Sequence, residues 1–104
     1  MKLTIIGAGP GGYSAAFAAA KAGVDVTLVE RAKLGGTCLH TGCIPTKTLR
    51  SSADVLEMSG RLAEFGITGE CALKADMPAI VNRKRKVTAT LQTGLEKTCA
   101  QLKA

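Results

Sequence analysis

Gly35-Gly36-Thr37-Cys38-Leu39-His40-Thr41-Gly42-Cys43-Ile44-Pro45-Thr46-Lys47 sets two cysteines five positions apart in a glycine-rich turn that runs into a helix started by Pro45. Core filling does not explain such a pair. A loop closed between Cys38 and Cys43 is so short that the chain-entropy argument gives a crosslink only about 2 kcal/mol, the low end for disulfides. Chemistry explains it better. Pro45 suits the first turn of a helix, and the free N–H groups of that turn favour the thiolate form of Cys43. The stretch describes a redox-active dithiol, and its tight spacing predicts a Cys38–Cys43 disulfide with Cα atoms within about 7 Å.

Working back from this stretch, Val24 to Val29 has the pattern of a buried strand and Glu30 stands at its end. Further back, Leu3-Thr4-Ile5-Ile6 is a β-branched run that ends at Gly7-Ala8-Gly9-Pro10-Gly11-Gly12, and an alanine-rich helical stretch, Tyr13 to Ala22, follows before Gly23 stops it. Strand, glycine turn and helix carry the dinucleotide spacing Gly7, Gly9, Gly12. In that pattern the glycines permit a tight turn, close approach of a pyrophosphate and close helix–strand packing. Alone, Gly-x-Gly-x-x-Gly is a weak signal. Glu30 strengthens it, standing near the roughly 20-residue spacing at which an acid binds a ribose hydroxyl. An acid there disfavours a 2′-phosphate, so FAD or NAD is expected over NADP; the alternative is a solvated glutamate after a strand. The first two strands are expected to be parallel, with Gly9 to Gly12 in the first turn of the helix between them.

Forward of the cysteines, Thr46 to Phe65 is expected to be one helix. Leu49, Ala53, Leu56 and Ala63 fall on one stripe, widened by Val55, Met58, Leu62 and Phe65, with Gly66 as the stop. So apolar a face predicts burial against a sheet. Ile67 to Ala75 is expected to be a loop or short irregular strand. Asp76 can cap a last helix with Pro78 in its first turn, where Ile80, Val87, Leu91, Leu95, Cys99 and Leu102 repeat at helical spacing. Cys71 and Cys99 fit no zinc signature and are expected to act as small hydrophobes, so no metal site is predicted.

With 104 residues the chain can bury one modest core, and no apolar run reaches membrane-spanning length. Only Met1 and Lys2 precede the first strand-like residues, which leaves no room for a signal peptide within the sequence and predicts a cytoplasmic location. That compartment argues against structural disulfides and for a catalytic or metal-binding pair. The net charge of +6 lies largely in Arg83-Lys84-Arg85-Lys86. Few aromatics are present to stack bases, so these residues are read as a solvated helix face, with no nucleic acid and no membrane as partner.

The cysteine stretch resembles the active-site segment of the flavoprotein disulfide reductases. Within that group, Cys-Leu-His-Thr-Gly-Cys-Ile-Pro-Thr-Lys is most similar to the dihydrolipoamide dehydrogenase branch, through Ile44 and Thr46; glutathione reductases tend to have Val-Pro-Lys-Lys. The resemblance implies an oxidoreductase with FAD in the first βαβ unit. Gly36 and Thr37 would lie against the cofactor's phosphates, Cys43 would be the flavin-side sulfur and Cys38 the exchange sulfur. Lys47, one helical turn after Cys43, would sit beside the flavin's reactive nitrogen. The group's catalytic base is a histidine of a C-terminal interface domain, contributed across a homodimer. His40 is therefore expected to have no catalytic role.

The implied fold is α/β: the N-terminal βαβ portion of a Rossmann-like FAD-binding domain, incomplete, plus two further helices. Residues 1–104 would form one partial domain carrying the redox disulfide. The resemblance covers the whole chain, but the group's third strand would begin where the chain ends. The sequence thus looks like a truncated gene product, an excised fragment or an incompletely interpreted sequence, expected to self-associate through exposed sheet edges. In a complete enzyme, electrons would pass between a lipoamide-like dithiol and NAD by way of Cys38–Cys43 and FAD. A mercuric- or glutathione-reductase-like member, or a stand-alone nucleotide-binding or dithiol module, remains open.

Overall fold

Thr4, Ile5 and Ile6 favour extended backbone, and the computed structural model, which describes residues 1–70 and 72–103, places them in strand β1 (Lys2–Ile6). Helix α1 (Pro10–Lys21) crosses over to β2 (Asp25–Val29), which pairs with β1 in parallel from Lys2 opposite Asp25 to Ile6 opposite Val29. Hydrogen bonding continues one step past the strands, the Gly7 N–H donating to the Val29 carbonyl at 2.7 Å. The glycine turn therefore starts at the carboxyl end of the sheet. The expected parallel pair and glycine turn are both present, and α1 begins at Pro10 with Gly9 as its N-cap, so Gly9 to Gly12 form its first turn as expected and the helix extends back beyond the alanine-rich stretch from Tyr13. Pro10 fits there because it has no N–H to leave unpaired in the first turn.

Helix α1 packs on both strands, and Gly12 sets how closely. A Cβ at this position would overlap the Gly7 carbonyl oxygen, so only glycine admits the helix at this distance from the turn. The buried apolar residues are Ala8, Ala16, Val26 and Leu39. Apart from Val26, β2 is not the buried strand its composition suggested. Ile6 and Val29 at the ends of the two strands are 86% and 45% exposed, because a two-stranded sheet has no further layer over these residues.

The second half departs further from expectation. The cysteine stretch contains a short helix, α2 (Gly36–His40), that the sequence reading left as a turn. Helix α3 runs over Cys43–Ser59, starting three residues earlier than predicted and ending six residues earlier. Gly60 ends it, since glycine in a helix interior costs about 1 kcal/mol relative to alanine, and the Ser59 hydroxyl takes the Leu56 carbonyl at 2.6 Å. A separate 3-10 turn (Leu62–Phe65) follows and stops at Gly66, whose φ is +72°. Helix α4 (Met77–Leu102) begins as predicted, with the Asp76 carboxylate accepting from the Ala79 N–H at 3.1 Å. Cys71, expected to be a small hydrophobe, lies outside the described residues.

Helix α3 packs against α2 and α4, and α4 also touches α1. The predicted burial of α3 on a sheet is thus overturned: Val55, Met58 and Phe65 are 68%, 55% and 61% exposed, and the helix buries Pro45 and Thr48 instead. Arg83 is not simply solvated, since its guanidinium donates to the Thr48 carbonyl at 3.2 Å and ties α4 to α3 just beyond the cysteines. The accessible surface is 7511 Å², against about 5500 Å² for a compact protein of this mass. The radius of gyration of 19.3 Å likewise exceeds the roughly 13 Å of a compact chain this long. The helix faces left open are apolar. Among the described residues no helix is long and apolar enough to cross a membrane.

Candidate functional site

Helix α3 begins at Cys43 and α2 carries Cys38 at its centre, so the sequence Thr41-Gly42 is all that separates the two helices. This hairpin brings the cysteines together as a disulfide with Cα atoms 4.6 Å apart, well inside the predicted limit. The residue at Cys43 is exposed and that at Cys38 half-buried. Cys43 occupies the first helical position of α3, at the positive end of the helix dipole, where the first N–H groups have no partner within the helix. Gly42 keeps the hairpin tight: a Cβ on it would lie 3.0 Å from the Thr37 carbonyl oxygen.

The redox hairpin is joined directly to the glycine turn. The Gly35 N–H donates to the Ala8 carbonyl at 2.8 Å. A Cβ on Gly36, whose φ is +62°, would come within 2.8 Å of the Gly9 Cα. The backbone of α2 therefore touches the backbone of the glycine turn, an approach that a side chain at Gly36 would block. Glu30 completes the connection. One carboxylate oxygen accepts from the Ala8 N–H at 2.8 Å and the other from the Ala32 N–H at 3.0 Å. These two bonds, Ala8 first, hold the Glu30 carboxyl below the ordinary glutamate range.

A cleft of about 780 Å³ opens beside this junction, a size in the range of small-molecule sites. Gly7, Glu30, Gly36 and Thr37 line it together with Arg31, Lys33 and His40. Four of the seven residues expected to hold a cofactor thus converge on one cleft. Gly9 borders α2 without lining the cleft, Gly12 lies beneath Gly7, and Lys47 is exposed on α3 one turn beyond Cys43. A second cleft of about 720 Å³, lined mainly by apolar residues such as Leu49, Leu56, Met77 and Ile80, lies between α3 and α4. It contains neither cysteine.

Ala8 was missed by sequence reasoning, although it is fully buried and both of its backbone groups are engaged. The available signal was its place between two glycines at the end of a strand: a small buried residue there leaves an N–H and a carbonyl that something must satisfy. His40, expected to have no catalytic role, is the last residue of α2, and its Nε2 lies 2.8 Å from the Leu34 carbonyl oxygen. No group of three or more metal-ligating side chains occurs among the described residues.

A dinucleotide turn packed against a disulfide hairpin is the mark of a disulfide oxidoreductase. Residues 1–103 match the family described as pyridine nucleotide-disulphide oxidoreductase, and the chain belongs to it. The dihydrolipoyl dehydrogenase of Rhizobium etli is 47% identical over 91 residues, which are 88% of this chain and 19% of that enzyme. That of Bacillus subtilis is 45% identical over 97 residues, covering 92% and 21%. Among solved structures, the HOCl-induced flavoprotein disulfide reductase RclA from Escherichia coli superposes with a TM-score of 0.74 at 32% identity, over 98% of this chain and 20% of that one. The chain spans about a fifth of the length of the curated relatives it matches.

The Glu30 bonds set a pH dependence. A carboxyl whose pKa is lower folded than unfolded contributes stability that is fully present above its unfolded value and is lost as pH falls through the folded one. Replacing Glu30 with glutamine removes that contribution, because an amide offers only one acceptor oxygen to the two N–H groups. The stability gap between wild type and Glu30→Gln is expected to stay constant above the ordinary value of 4.5 and to shrink below it. Urea midpoints of both proteins between pH 7 and pH 3 measure this; a gap that widens towards acid would contradict the bonding.

Proposed function

We propose that the chain is the FAD-binding, disulfide-bearing segment of a dihydrolipoyl-dehydrogenase-like oxidoreductase. The observation that carries this reading is the contact of Gly36 with Gly9, which puts a redox disulfide against a dinucleotide turn. The turn fits a pyrophosphate: nothing lies within 4 Å of where a Gly9 Cβ would be, so a ligand can approach that backbone closely. Gly7, Gly9, Gly12, Gly36 and Thr37 would hold the phosphates of FAD, and Glu30 keeps lone pairs free for ribose hydroxyls. Lys47 would place a cation beside the cofactor's reactive end. When bound, FAD supplies a two-electron acceptor next to the disulfide.

The rest of the chemistry belongs to the cysteines. A substrate dithiol gives two electrons and two protons as one of its thiolates attacks Cys38; Cys43 leaves as a thiolate, stabilised by the start of α3. The second substrate thiol then attacks the mixed disulfide, releasing the oxidised substrate and leaving Cys38 and Cys43 reduced. In the complete enzyme the electrons would pass on to NAD, and the substrate would be lipoamide-like. The relatives named dihydrolipoyl dehydrogenase favour that substrate over those of other members.

Flavin fluorescence tests the cofactor reading. Titrating FAD with the chain is expected to give saturable quenching. Gly36→Val, which forces a branched side chain against the Gly9 backbone, is expected to weaken binding tenfold or more, equivalent to about 1.4 kcal/mol. Quenching that never saturates, or is the same in the variant, would count against it.

A further inference from the structure

Helix α2 has five residues, far fewer than a helix needs to persist alone in water, so bonds to the rest of the chain must fix its place. Two such bonds bracket it. At its start, the Gly35 N–H donates to the Ala8 carbonyl. At its last residue, the His40 Nε2 meets the Leu34 carbonyl oxygen at 2.8 Å. A carbonyl can only accept, so this nitrogen carries the ring proton. His40 is half-buried and is the only histidine in the sequence. At the ends of α2 the Leu39 N–H donates to the Gly35 carbonyl at 3.4 Å and the Thr41 N–H to the Thr37 carbonyl at 2.9 Å.

Building on the redox-disulfide reading above, we propose that His40 is a positioning residue whose Nε2–H bond to Leu34 keeps Cys38 within reach of Cys43 when the disulfide is reduced. In the oxidised protein the S–S bond itself holds the two helices together. After reduction that tether is gone, and α2 is held by its packing against α3, by the buried Leu39 and by the bonds at Ala8 and Leu34. Without the imidazole, the end of α2 nearest the Thr41-Gly42 link frays. The local concentration of the Cys38 thiol around Cys43 then falls, and the disulfide becomes easier to reduce.

The test is the equilibrium with glutathione. Two glutathione thiols become one glutathione disulfide, while the Cys38–Cys43 bond breaks and both sulfurs take up protons. His40→Phe fills the same space without the donor, and His40→Gln restores an N–H donor at nearly the same reach. The fraction oxidised is read by alkylation and mass mapping of the peptide carrying both cysteines. Wild type and His40→Gln are expected to agree within about twofold. His40→Phe is expected to lower the equilibrium constant for disulfide formation three- to tenfold, the worth of one hydrogen bond. That is a rise in potential of about 15 to 30 mV.

If His40→Phe matches wild type, or His40→Gln matches His40→Phe, the positioning role is overturned while the redox reading stands. A wild-type chain whose Cys38–Cys43 pair never exchanges with glutathione overturns both. Far-UV circular dichroism checks folding. Should His40→Phe fail to fold, the imidazole nitrogen spectrum of the wild type decides: a proton on Nε2 supports the proposal, and a proton on Nδ1 overturns it.

Discussion

Cys43→Ser is expected to capture a small disulfide once, on Cys38, and then to release it on the order of 10³-fold more slowly than wild type. The capture is ordinary exchange: the Cys38 thiolate attacks, one thiol leaves, and a mixed disulfide remains. In the wild type the Cys43 thiolate, two residues beyond Thr41 and at the start of α3, attacks that mixed disulfide from within. An internal thiol held at an effective concentration of even about 1 M outpaces a millimolar external thiol about a thousandfold, and well-oriented groups reach far higher effective molarities. Serine cannot form the S–S bond, so the adduct persists. Cys99, on α4, is expected to substitute poorly, because burial and the nearby Glu96 push its thiol up and disfavour its thiolate.

The converse variant separates the two sulfurs. In Cys38→Ser the remaining Cys43 thiol still sits among the free N–H groups of α3, so it is expected to react with iodoacetamide faster at mildly acidic pH than Cys38 does in Cys43→Ser. Mass spectrometry of the adducts in a Cys71→Ser background gives the release rates. Release at the wild-type rate from Cys43→Ser would show that the pair does not act as an exchange couple. Faster alkylation of Cys38 than of Cys43 would reverse their roles.

Much of this site was legible in the residues because its parts are constrained over short distances. Gly7, Gly9 and Gly12 announce the turn through spacing alone, and the structure shows the reason at Gly12, where a side chain would fall on the Gly7 carbonyl. Cys38 and Cys43 are near neighbours in sequence, so their pairing needs only a tight hairpin. What was not legible lies in contacts between distant segments. Glu30 was expected at the end of β2, but nothing in its neighbourhood says that it reaches the N–H of Ala8, 22 residues earlier. Helix α2 was hidden because Gly35 and Gly36 signal a turn, while the helix is anchored at its start by the distant Ala8 carbonyl and at its end by the His40 bond to Leu34. In α3 the apolar spacing was real, but periodicity identifies a face and not what covers it. The covering element proved to be α4, and it leaves Val55 and Met58 largely exposed.

The 104-residue polypeptide, supplied with FAD, is expected to show no NAD-linked oxidation of dihydrolipoamide above the Cys43→Ser blank. The full reaction needs two dinucleotides at once, one to take electrons from the disulfide and one to carry them away. These 104 residues hold a single glycine fingerprint, Gly7 to Gly12, and a single cleft beside it among the described residues. With FAD in that cleft, no second glycine fingerprint remains to hold NAD. The reaction also needs a base for the substrate thiol, and general-base help is worth about 10² to 10⁴ in rate. His40, the only histidine, has its Nε2 committed to Leu34 in a bond that holds α2. Dithiol exchange at Cys38 and Cys43 requires neither group, so reduction by an external dithiol should persist while NADH formation does not. Absorbance at 340 nm with dihydrolipoamide, FAD and NAD measures the second, and thiol release after a dithiol pulse measures the first. NADH appearing above the blank would mean that this chain assembles, alone or as several copies, a second dinucleotide site that its one fingerprint does not provide.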